Sequence, residues 1–354
     1  MPSTKSIRPA GRALKQLSQL PKKRTYSKHP PPAQPQPLTS PFAPRHLLSI
    51  ADLTPAEFST LLSNASSHKA AIKSGVTPAA LAGKLSGQTV ALMFSKRSTR
   101  TRVSTEAAVT SMGGHPMFLG SGDIQLGVNE SLYDTSVVIS SMVSAMVARV
   151  NAHAEVADLA KHSSVPVINA LSADFHPLQT IADFVTIQET FGKEKVQGLK
   201  VAWVGDANNV LFDLAIGCLK MGVDIAVAAP AGYTIPAAMK QLILASAPEG
   251  STAKLTETNV PEEAIKDSNI LVTDTWISMG QEEESAKRLK AFAGYQITEE
   301  LAKRGGAKNG WRFMHCLPRH SEEVDDEVFY GKRSLVFPEA ENRLWAAISA
   351  LEGF

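Results

Sequence analysis

The sequence is poor in cysteine and contains no long hydrophobic run. Cys218 and Cys316 are the two cysteines among 354 residues, too few for a disulfide framework, which favours a reducing compartment. No apolar stretch approaches the about 20 residues that cross a bilayer, so we expect no membrane partner. With 44% hydrophobic and 20% charged residues, the composition is that of a soluble globular protein, and the length favours two domains.

Acidic residues are absent from the first 51 positions, which contain nine lysines or arginines. A basic, hydroxyl-containing and acid-free beginning is typical of a mitochondrial transit peptide. We assign this peptide to residues 1–26, with cleavage after Tyr26, and a Pro-rich linker to residues 27–44. The predicted location is the mitochondrial matrix.

The alternative for this segment is a disordered basic tail that binds nucleic acid. Removal of residues 1–26, which hold seven basic residues and no acid, lowers the formal net charge from +2 to −5. Because an acidic mature chain binds phosphate backbones poorly, we expect no nucleic-acid partner.

Strand and helix patterns alternate from residue 52 almost to the end of the chain. The apolar helical stretch 178–192 divides the predicted strands into two groups. These strands are 89–94, 115–120, 144–150 and 165–171, then 200–206, 224–230, 253–258, 269–276 and 311–320. The pattern predicts an α/β protein of two domains, each a parallel β-sheet covered by helices on both faces.

Cations and hydroxyls crowd the junction between the first predicted strand and the helix after it. The residues concerned are Lys96, Arg97, Arg100, Arg102, Ser98, Thr99, Thr101 and Ser104. At a strand-to-helix junction, free backbone N–H groups and the positive end of the helix dipole converge on one point. We therefore predict a phosphate site there, with a solvated helix cap as the alternative.

The helix after this junction is predicted from apolar residues that recur at helical spacing. Val103, Ala107, Ala108 and Met112 define its expected apolar face, and Gly113 is expected to end it.

Polar side chains follow most of the other predicted strands, where parallel α/β sheets bind their ligands. They are Arg149, His176 and Gln179, Asn208 and Asn209, Asp274, Ser278 and Met279, and His315, Cys316 and Arg319. Several strands that all end in polar groups predict one shared site, whereas Cys218 is predicted to be a packed core residue.

No metal or cofactor is expected. His315 and Cys316 are adjacent, and strand alternation predicts that their side chains point to opposite faces, while no second pair has ligand spacing. The stretch 203–210 lacks the Gly-x-Gly-x-x-Gly pattern with which a turn approaches a pyrophosphate. This lack disfavours the alternative of a non-catalytic, nucleotide-binding regulatory protein.

Six motifs closely resemble those of the ornithine carbamoyltransferases, within the aspartate/ornithine carbamoyltransferase family. They are STRTR (98–102), HPLQ (176–179), WVGDANNV (203–210), DTWISMGQEEE (274–284), HCLP (315–318) and FPEAENRLW (337–345). The resemblance runs in one order from about residue 45 to residue 352. STRTR and HPLQ mark the whole family, whereas the SMG loop and HCLP point to ornithine.

The resemblance implies a cofactor-free transferase that forms L-citrulline and phosphate from carbamoyl phosphate and L-ornithine, for arginine biosynthesis or a urea cycle. It implies that residues 45–184 bind carbamoyl phosphate and that residues 185–337 bind ornithine. A C-terminal helix, 338–354, is expected to cross back and complete the first domain.

By resemblance, each substrate has its own set of residues. Those for carbamoyl phosphate are Ser98, Thr99, Arg100, Thr101, Gln125, Arg149, His176, Gln179, Cys316, Leu317 and Arg343. Those for ornithine are Asn209, Asp274, Ser278 and Met279, and the catalytic residues are Cys316, Arg149, His176 and Asp274. Gln125 is expected to reach a neighbouring subunit of a homotrimer, so that active sites are shared.

Two questions stay open at the level of sequence. A free aliphatic amine has a pKa of about 10.4, so the site must either bind the neutral amine of ornithine or remove its proton, and Asp274 and Cys316 are the candidates to accept or relay that proton. Aspartate and putrescine are the alternative acceptors, although Asp274 would repel the second carboxylate of aspartate.

Overall fold

The computed structural model describes residues 44–123, 130–277 and 282–354. The predicted transit peptide lies outside these ranges, as does the predicted linker up to residue 43. Gln125, Ser278 and Met279 also lie outside the described residues, so their predicted roles are not tested by the structure. Both sheets described below belong to one compact unit, Pro44–Phe354.

The first sheet contains four parallel strands in the order β2-β1-β3-β4. The strands are β1 (Thr89–Phe94), β2 (His115–Gly120), β3 (Ala145–Arg149) and β4 (Val167–Leu171). In β1 every residue after Thr89 is buried, because helices cover both faces of a parallel sheet. This burial explains why β1 reads as a continuous apolar run.

Helices alternate with these strands, as the sequence predicts. They are α1 (Pro55–Lys73), α2 (Thr99–Ser111), α3 (Leu132–Ser140), α4 (His153–His162) and α5 (Pro177–Phe191). The start of α1 is fixed by a capping box, in which Thr54 and Glu57 bond each other's backbone N–H groups. Gly113 follows α2 with a φ of +84°, which is the helix end that the sequence predicts.

The second sheet contains five parallel strands in the order β7-β6-β5-β8-β9. The strands are β5 (Lys200–Val204), β6 (Asp224–Ala228), β7 (Leu255–Thr258), β8 (Ile270–Thr273) and β9 (Arg312–His315). Their helices are α6 (Asn209–Lys220), α7 (Ala237–Ala245), α8 (Pro261–Ile265), α9 (Ser285–Ala291), α10 (Glu299–Arg304) and α11 (Asp326–Phe329). Two parallel sheets with alternating helices confirm the predicted α/β class. Cys218 of α6 is fully buried, which confirms its predicted place in the core.

The last helix, α12 (Val336–Gly353), packs against α1, α2 and α5. Ser349 donates a hydrogen bond to the carbonyl of Leu61 at 2.7 Å, and Glu352 bonds the ring of His68 at 2.7 Å. The final 18-residue helix thus contacts elements that precede and follow the first sheet. Among the described residues, no helix combines the length and apolar character needed to cross a membrane.

The predicted apolar face of α2 is partly wrong. Ala108 and Met112 are buried, but Val103 is 62% exposed and Ala107 is also exposed. The buried face instead contains the hydroxyl residues Thr101, Ser104 and Thr105. A polar face can be buried here because it points toward the site and toward α12.

Candidate active site

A cavity of about 930 Å³ lies at the carboxyl ends of strands from both sheets. Loops after β1, β3, β4, β5, β8 and β9 line it, together with Arg343 of α12. Among its lining residues are Ser98, Thr99, Arg100, Thr101, Arg149, His176, Asn209, Asp274, Cys316, Leu317 and Arg343. The structure therefore brings most of the predicted site residues into one cavity.

The start of α2 forms the cationic end of this cavity. Ser98 is the N-cap, and its hydroxyl accepts a hydrogen bond from the backbone N–H of Thr101 at 3.3 Å. Arg100 lies in the first turn and donates to the carbonyl of Leu317 at 2.5 Å. Leu317 has a φ of +62°, a strained conformation for a residue with a branched side chain. The helix start and the loop after β9 are thereby held together across the cavity.

Two further arginines are buried against this helix start. The pKa of Arg149 is lowered to about 10, mainly by burial; Cys316 opposes the shift and Arg100 adds to it. Burial lowers the pKa of Arg343 to about 10 as well. In both residues Nε is buried and has no hydrogen-bond partner. Both arginines remain cations at neutral pH, so this end of the cavity is suited to an anion.

His176 stands at the N-cap of α5 and lines the cavity beside these arginines. Its pKa lies well below the usual value, first because the ring is buried and then because Arg343, Arg149 and Arg100 repel a positive charge. Nδ1 is buried without a partner. His176 is therefore a neutral imidazole with a free nitrogen, able to hydrogen-bond a ligand.

The same cavity contains a carboxylate, a thiol and an amide in one hydrogen-bonded row. Cys316 donates its thiol proton to Oδ1 of Asp274 at 3.0 Å, and Asn208 donates to Oδ2 of Asp274 at 2.7 Å. Burial raises the pKa of Cys316 well above its usual value, and Asp274 adds to the shift. Cys316 is thus a protonated thiol at neutral pH.

The prediction that His315 and Cys316 point to opposite faces is wrong. Ligating atoms of Asp274, His315 and Cys316 all lie within 4.8 Å of one another. The reason is that β9 ends at His315, so strand alternation no longer governs Cys316. Both ring nitrogens of His315 are already engaged, since Nδ1 accepts from the N–H of Leu317 at 2.9 Å and Nε2 bonds the carboxylate of Glu323 at 3.0 Å.

Three of the predicted residues have side chains that are engaged by other protein groups. Gln179 is buried behind Arg343, which donates to Oε1 of Gln179 at 2.7 Å. Asn209 lines the cavity but donates to the carbonyl of Ser172 at 2.6 Å. Arg319 is turned away, because it pairs with Asp326 and its guanidinium lies 4.8 Å from the ring centre of Phe329.

The structure also gives two residues contacts that sequence reasoning did not assign. Asn208, rather than Asn209, contacts Asp274, and Oδ1 of Asn208 also caps α6. Glu323 is fully buried and accepts from the backbone N–H groups of Trp276 at 3.2 Å and His320 at 2.9 Å. It thereby joins the loops after β8 and β9. Asn208 was already predicted to lie at the shared site, beside Asn209. Nothing in the sequence indicated that Glu323 is buried.

The fold and the cavity together define a class of protein. Loops of two parallel sheets bring a cationic helix start, a carboxylate and a thiol into one cavity at the carboxyl ends of the strands, where α/β enzymes bind small polar ligands.

Family models identify the class more closely. Residues 45–189 match the carbamoyl phosphate-binding domain of aspartate/ornithine carbamoyltransferase, and residues 197–352 match the aspartate/ornithine-binding domain. The chain belongs to the aspartate/ornithine carbamoyltransferase family.

Individual relatives agree with this assignment. A mitochondrial ornithine carbamoyltransferase of Aspergillus niger is 73% identical over 328 residues, covering 90% of this chain and 88% of that protein. The ornithine carbamoyltransferase of Saccharomyces cerevisiae is 48% identical and covers 89% of this chain and 95% of its own length. The crystal structure of a mitochondrial ornithine carbamoyltransferase from Coccidioides immitis has a TM-score of 0.84 at 67% identity, with 88% of this chain and 97% of that chain covered.

Proposed function

We propose that this chain is an ornithine carbamoyltransferase that converts carbamoyl phosphate and L-ornithine into L-citrulline and phosphate. The observation that carries the proposal is that one cavity combines the cationic start of α2, Arg149 and Arg343 with the hydrogen-bonded pair of Asp274 and Cys316. The high identity to proteins named ornithine carbamoyltransferase supports ornithine as the acceptor.

Carbamoyl phosphate suits the cationic end of the cavity. Its phosphate would lie at the start of α2, among Ser98, Thr99, Arg100 and Thr101, with Arg343 closing the site. Each charge-assisted hydrogen bond there contributes about 1.5–3 kcal/mol. The carbonyl oxygen becomes negative when the amine attacks. Arg149 and the neutral ring of His176 are placed to donate to that oxygen, where they stabilise the transition state more than the ground state.

Ornithine suits the end that contains Asp274. Its α-ammonium would pair with Asp274, with Ser278 and Met279 as the further contacts that the resemblance implies, and its α-carboxylate would bind the asparagine amides at the start of α6. The side-chain amine then lies near Cys316 and the carbamoyl carbon. Holding both substrates at attack distance contributes about 7–11 kcal/mol to lowering the barrier, without a cofactor.

The attacking amine must lose a proton, and the geometry favours Asp274 as the acceptor. Because the pKa of the Cys316 thiol is raised, Cys316 carries its own proton at neutral pH. Its S–H group points at Oδ1 of Asp274 at 3.0 Å. The thiol can therefore pass its proton to Asp274 as it takes one from the amine. To act as the base by itself, the thiol would have to be deprotonated beforehand.

We also propose a homotrimer with active sites shared between subunits, located in the mitochondrial matrix. Large apolar side chains are exposed on the described surface of the first half, on α2, β2, α3 and the turn after α3. They are Val103, Met117, Val137, Val138 and Met142. Exposed apolar groups of this kind support a subunit interface. The relatives named mitochondrial support the location.

One assay tests the proposed activity. The purified chain is mixed with carbamoyl phosphate and, separately, with ornithine, aspartate or putrescine, and phosphate release and carbamoylated product are measured. Ornithine alone should support rapid turnover and yield citrulline. Equal or faster turnover with putrescine or aspartate would overturn the acceptor, and no turnover with any of them would overturn the activity.

A further inference from the structure

Two acidic side chains lie buried behind the cavity and are joined through one glutamine. Asp183 of α5 and Glu339 of α12 are 2% and 1% exposed. Gln179 donates from the same Nε2 to Oδ1 of Asp183 at 2.8 Å and to Oε1 of Glu339 at 3.0 Å. Neither acid lines the cavity, so the chemistry described above does not use them.

The two carboxyl groups thus meet at one amide nitrogen inside the core. Two ionised carboxylates held so close in a buried place repel each other, so a proton shared between them stabilises the pair. Burial raises the pKa of Asp183 to about 7, and burial together with Asp183 raises the pKa of Glu339 well above its usual value. At neutral pH the pair therefore retains at least one proton.

The charged and titratable groups around the pair fit this state. Arg343 of α12 faces both acids and favours their ionisation, whereas Asp274 opposes ionisation of Asp183. The thiols of Cys316 and Cys218 lie near enough to sense the charge of Asp183, and both are protonated. One net negative charge on the pair balances the charge of Arg343, whereas a second buried negative charge would be costly.

Hydrogen bonds connect this pair to both ends of the cavity. Toward carbamoyl phosphate, Gln179 accepts from Nη1 of Arg343 at 2.7 Å, and Nη2 of Arg343 donates to the hydroxyl of Thr101 at 3.3 Å. Toward ornithine, Oε2 of Glu339 accepts from the backbone N–H of His315 at 2.9 Å, the residue before Cys316. The two acids also fix the orientation of the Gln179 amide, since its NH₂ group must face them and its oxygen must face Arg343.

We propose that Asp183 and Glu339 are positioning residues that act as one proton-sharing acid pair and hold Arg343 and the Cys316 backbone in their working geometry. The inference rests on the proposed function, because carbamoyl phosphate is the ligand toward which Arg343 is positioned. Loss of the pair should weaken carbamoyl phosphate binding although neither acid touches the ligand.

Isosteric substitutions at the two positions should have unequal effects. In Asp183→Asn, the amide oxygen still accepts from Gln179 and the new NH₂ group donates to Glu339, so the variant imitates the proton-sharing state. In Glu339→Gln, one of two accepting oxygens becomes a donor, and the bond to Gln179 or to His315 is lost. If the two acids only filled space, both isosteric substitutions should change carbamoyl phosphate binding to the same extent.

The experiment measures the Kd for carbamoyl phosphate by calorimetry at about pH 7.5. Asp183→Asn should weaken binding by no more than about threefold, whereas Asp183→Ala and Glu339→Gln should each weaken it by about tenfold or more. The exposed Asp158 of α4 provides a matched control, and Asp158→Asn should leave the Kd unchanged. If Asp183→Asn binds as weakly as Asp183→Ala, proton sharing is wrong. If none of the three substitutions weakens binding, the positioning role is wrong.

A second measurement does not depend on ligand. A pKa raised by folding means that stability is lost as pH rises from the unfolded value toward the folded one. Urea denaturation from about pH 5 to about pH 8 should therefore show a smaller loss of stability in Asp183→Asn than in wild type. An equal loss contradicts the shared proton, even if Glu339→Gln fails to fold. If the wild-type protein does not bind carbamoyl phosphate, the proposed function is contradicted. The stability measurement then still tests whether Asp183 and Glu339 share a proton.

Discussion

Arg100 offers the most direct test of the cationic end of the cavity at the scale of single residues. Arg100→Ala removes a cation from a group of arginines, so carbamoyl phosphate should bind about 10- to 100-fold more weakly. Stability without ligand should hold or rise, because Arg149 and Arg343 lose a repelling neighbour. Calorimetric binding and thermal melting check both expectations.

The matched control for Arg100 is two residues further along α2. Arg102 pairs with Glu106 at 2.7 Å and stacks on Phe118, with its guanidinium carbon 3.6 Å from the ring centre. It does not line the cavity. Arg102→Ala should leave the carbamoyl phosphate Kd within about twofold of wild type, since a surface pair contributes little to the site. A large drop in melting temperature for Arg100→Ala alone would mean that its bond to Leu317 is mainly structural.

The chemical state of Cys316 gives a second residue-scale prediction. Because burial and Asp274 raise the pKa of its thiol, iodoacetamide should alkylate Cys316 in the folded chain at pH 8 far more slowly than a free cysteine. Asp274→Asn removes the negative neighbour, lowers the thiol pKa and should speed alkylation. Mass spectrometry after timed quenching measures the rate at Cys316. Equal rates in wild type and Asp274→Asn would show that Asp274 does not control the thiol.

Single residues also mark the limit of what the sequence could predict. The motifs indicated which loops meet, but they did not distinguish Asn208 from Asn209, because that choice depends on which amide caps α6. The side chains of His315 and Cys316 were wrongly predicted to point to opposite faces, because that prediction required β9 to continue past His315. A buried Glu323 could not be predicted from the sequence, because its partners, the rings of His315 and His320 and the backbone N–H of Trp276, surround it only in the folded chain.

At the scale of elements, one carboxylate of α6 ties together the segments that hold His176. Asp213 is fully buried and accepts from the Ser49 hydroxyl at 2.7 Å, the Ile50 N–H at 2.9 Å and the His176 N–H at 2.8 Å. These three bonds lower its pKa, but burial outweighs them and raises the pKa to about 7. The contribution of Asp213 to stability is therefore fully present below the unfolded pKa and is lost as pH rises toward about 7.

Asp213→Asn should accordingly destabilise the protein most under acidic conditions. The asparagine can accept two of the three bonds but presents an N–H group to the third donor, and it does not titrate. The free-energy difference from wild type in urea should be about 1–3 kcal/mol near pH 5 and smaller near pH 8. A difference that grows with pH would contradict the raised pKa.

The contact between α5 and α6 gives another prediction at this scale. A Cβ at Gly217 would lie 2.8 Å from a ring carbon of Phe184 and 2.9 Å from the methyl group of Thr180. Alanine in a helix gains about 1 kcal/mol over glycine, but overpacking a core costs about 1–3 kcal/mol. Gly217→Ala should therefore lower the urea midpoint, despite its better helix propensity. A raised midpoint would mean that the two helices separate easily.

Whole elements were easier to predict than their faces. All nine predicted strands of the two sheets are present in the described part of the chain, and the signal is clearest in strands such as β1, whose burial on both sides gives an uninterrupted apolar sequence. The orientation of α2 was harder to predict, because its buried face contains Thr101, Ser104 and Thr105. Hydrophobic periodicity cannot identify a helix face that is buried but polar, as this face is beside the cavity.

At the scale of the whole molecule, the site depends on contacts between residues very distant in sequence. Arg343 donates to Thr101 across a separation of 242 positions, and Arg100 donates to Leu317 across 217. Composition and periodicity carry no information about such pairs. The family motifs did indicate them, because a resemblance that spans both halves implies one common fold.

The proposed trimer leads to the prediction with the widest reach, because it concerns two chains at once. If Gln125 acts on the carbamoyl phosphate of a neighbouring subunit, an active site needs Arg100 from one chain and Gln125 from another. Arg100→Ala and Gln125→Glu should each nearly inactivate a homotrimer. In an equal random mixture of the two variants, about a quarter of the sites combine an intact Arg100 with an intact Gln125. Citrulline formation should therefore return on co-refolding, to about a quarter of the wild-type rate. Native mass spectrometry confirms that mixed trimers have formed, and mixing the folded variants without refolding is the control. Mixed trimers as inactive as their parents would show that Gln125 serves its own subunit.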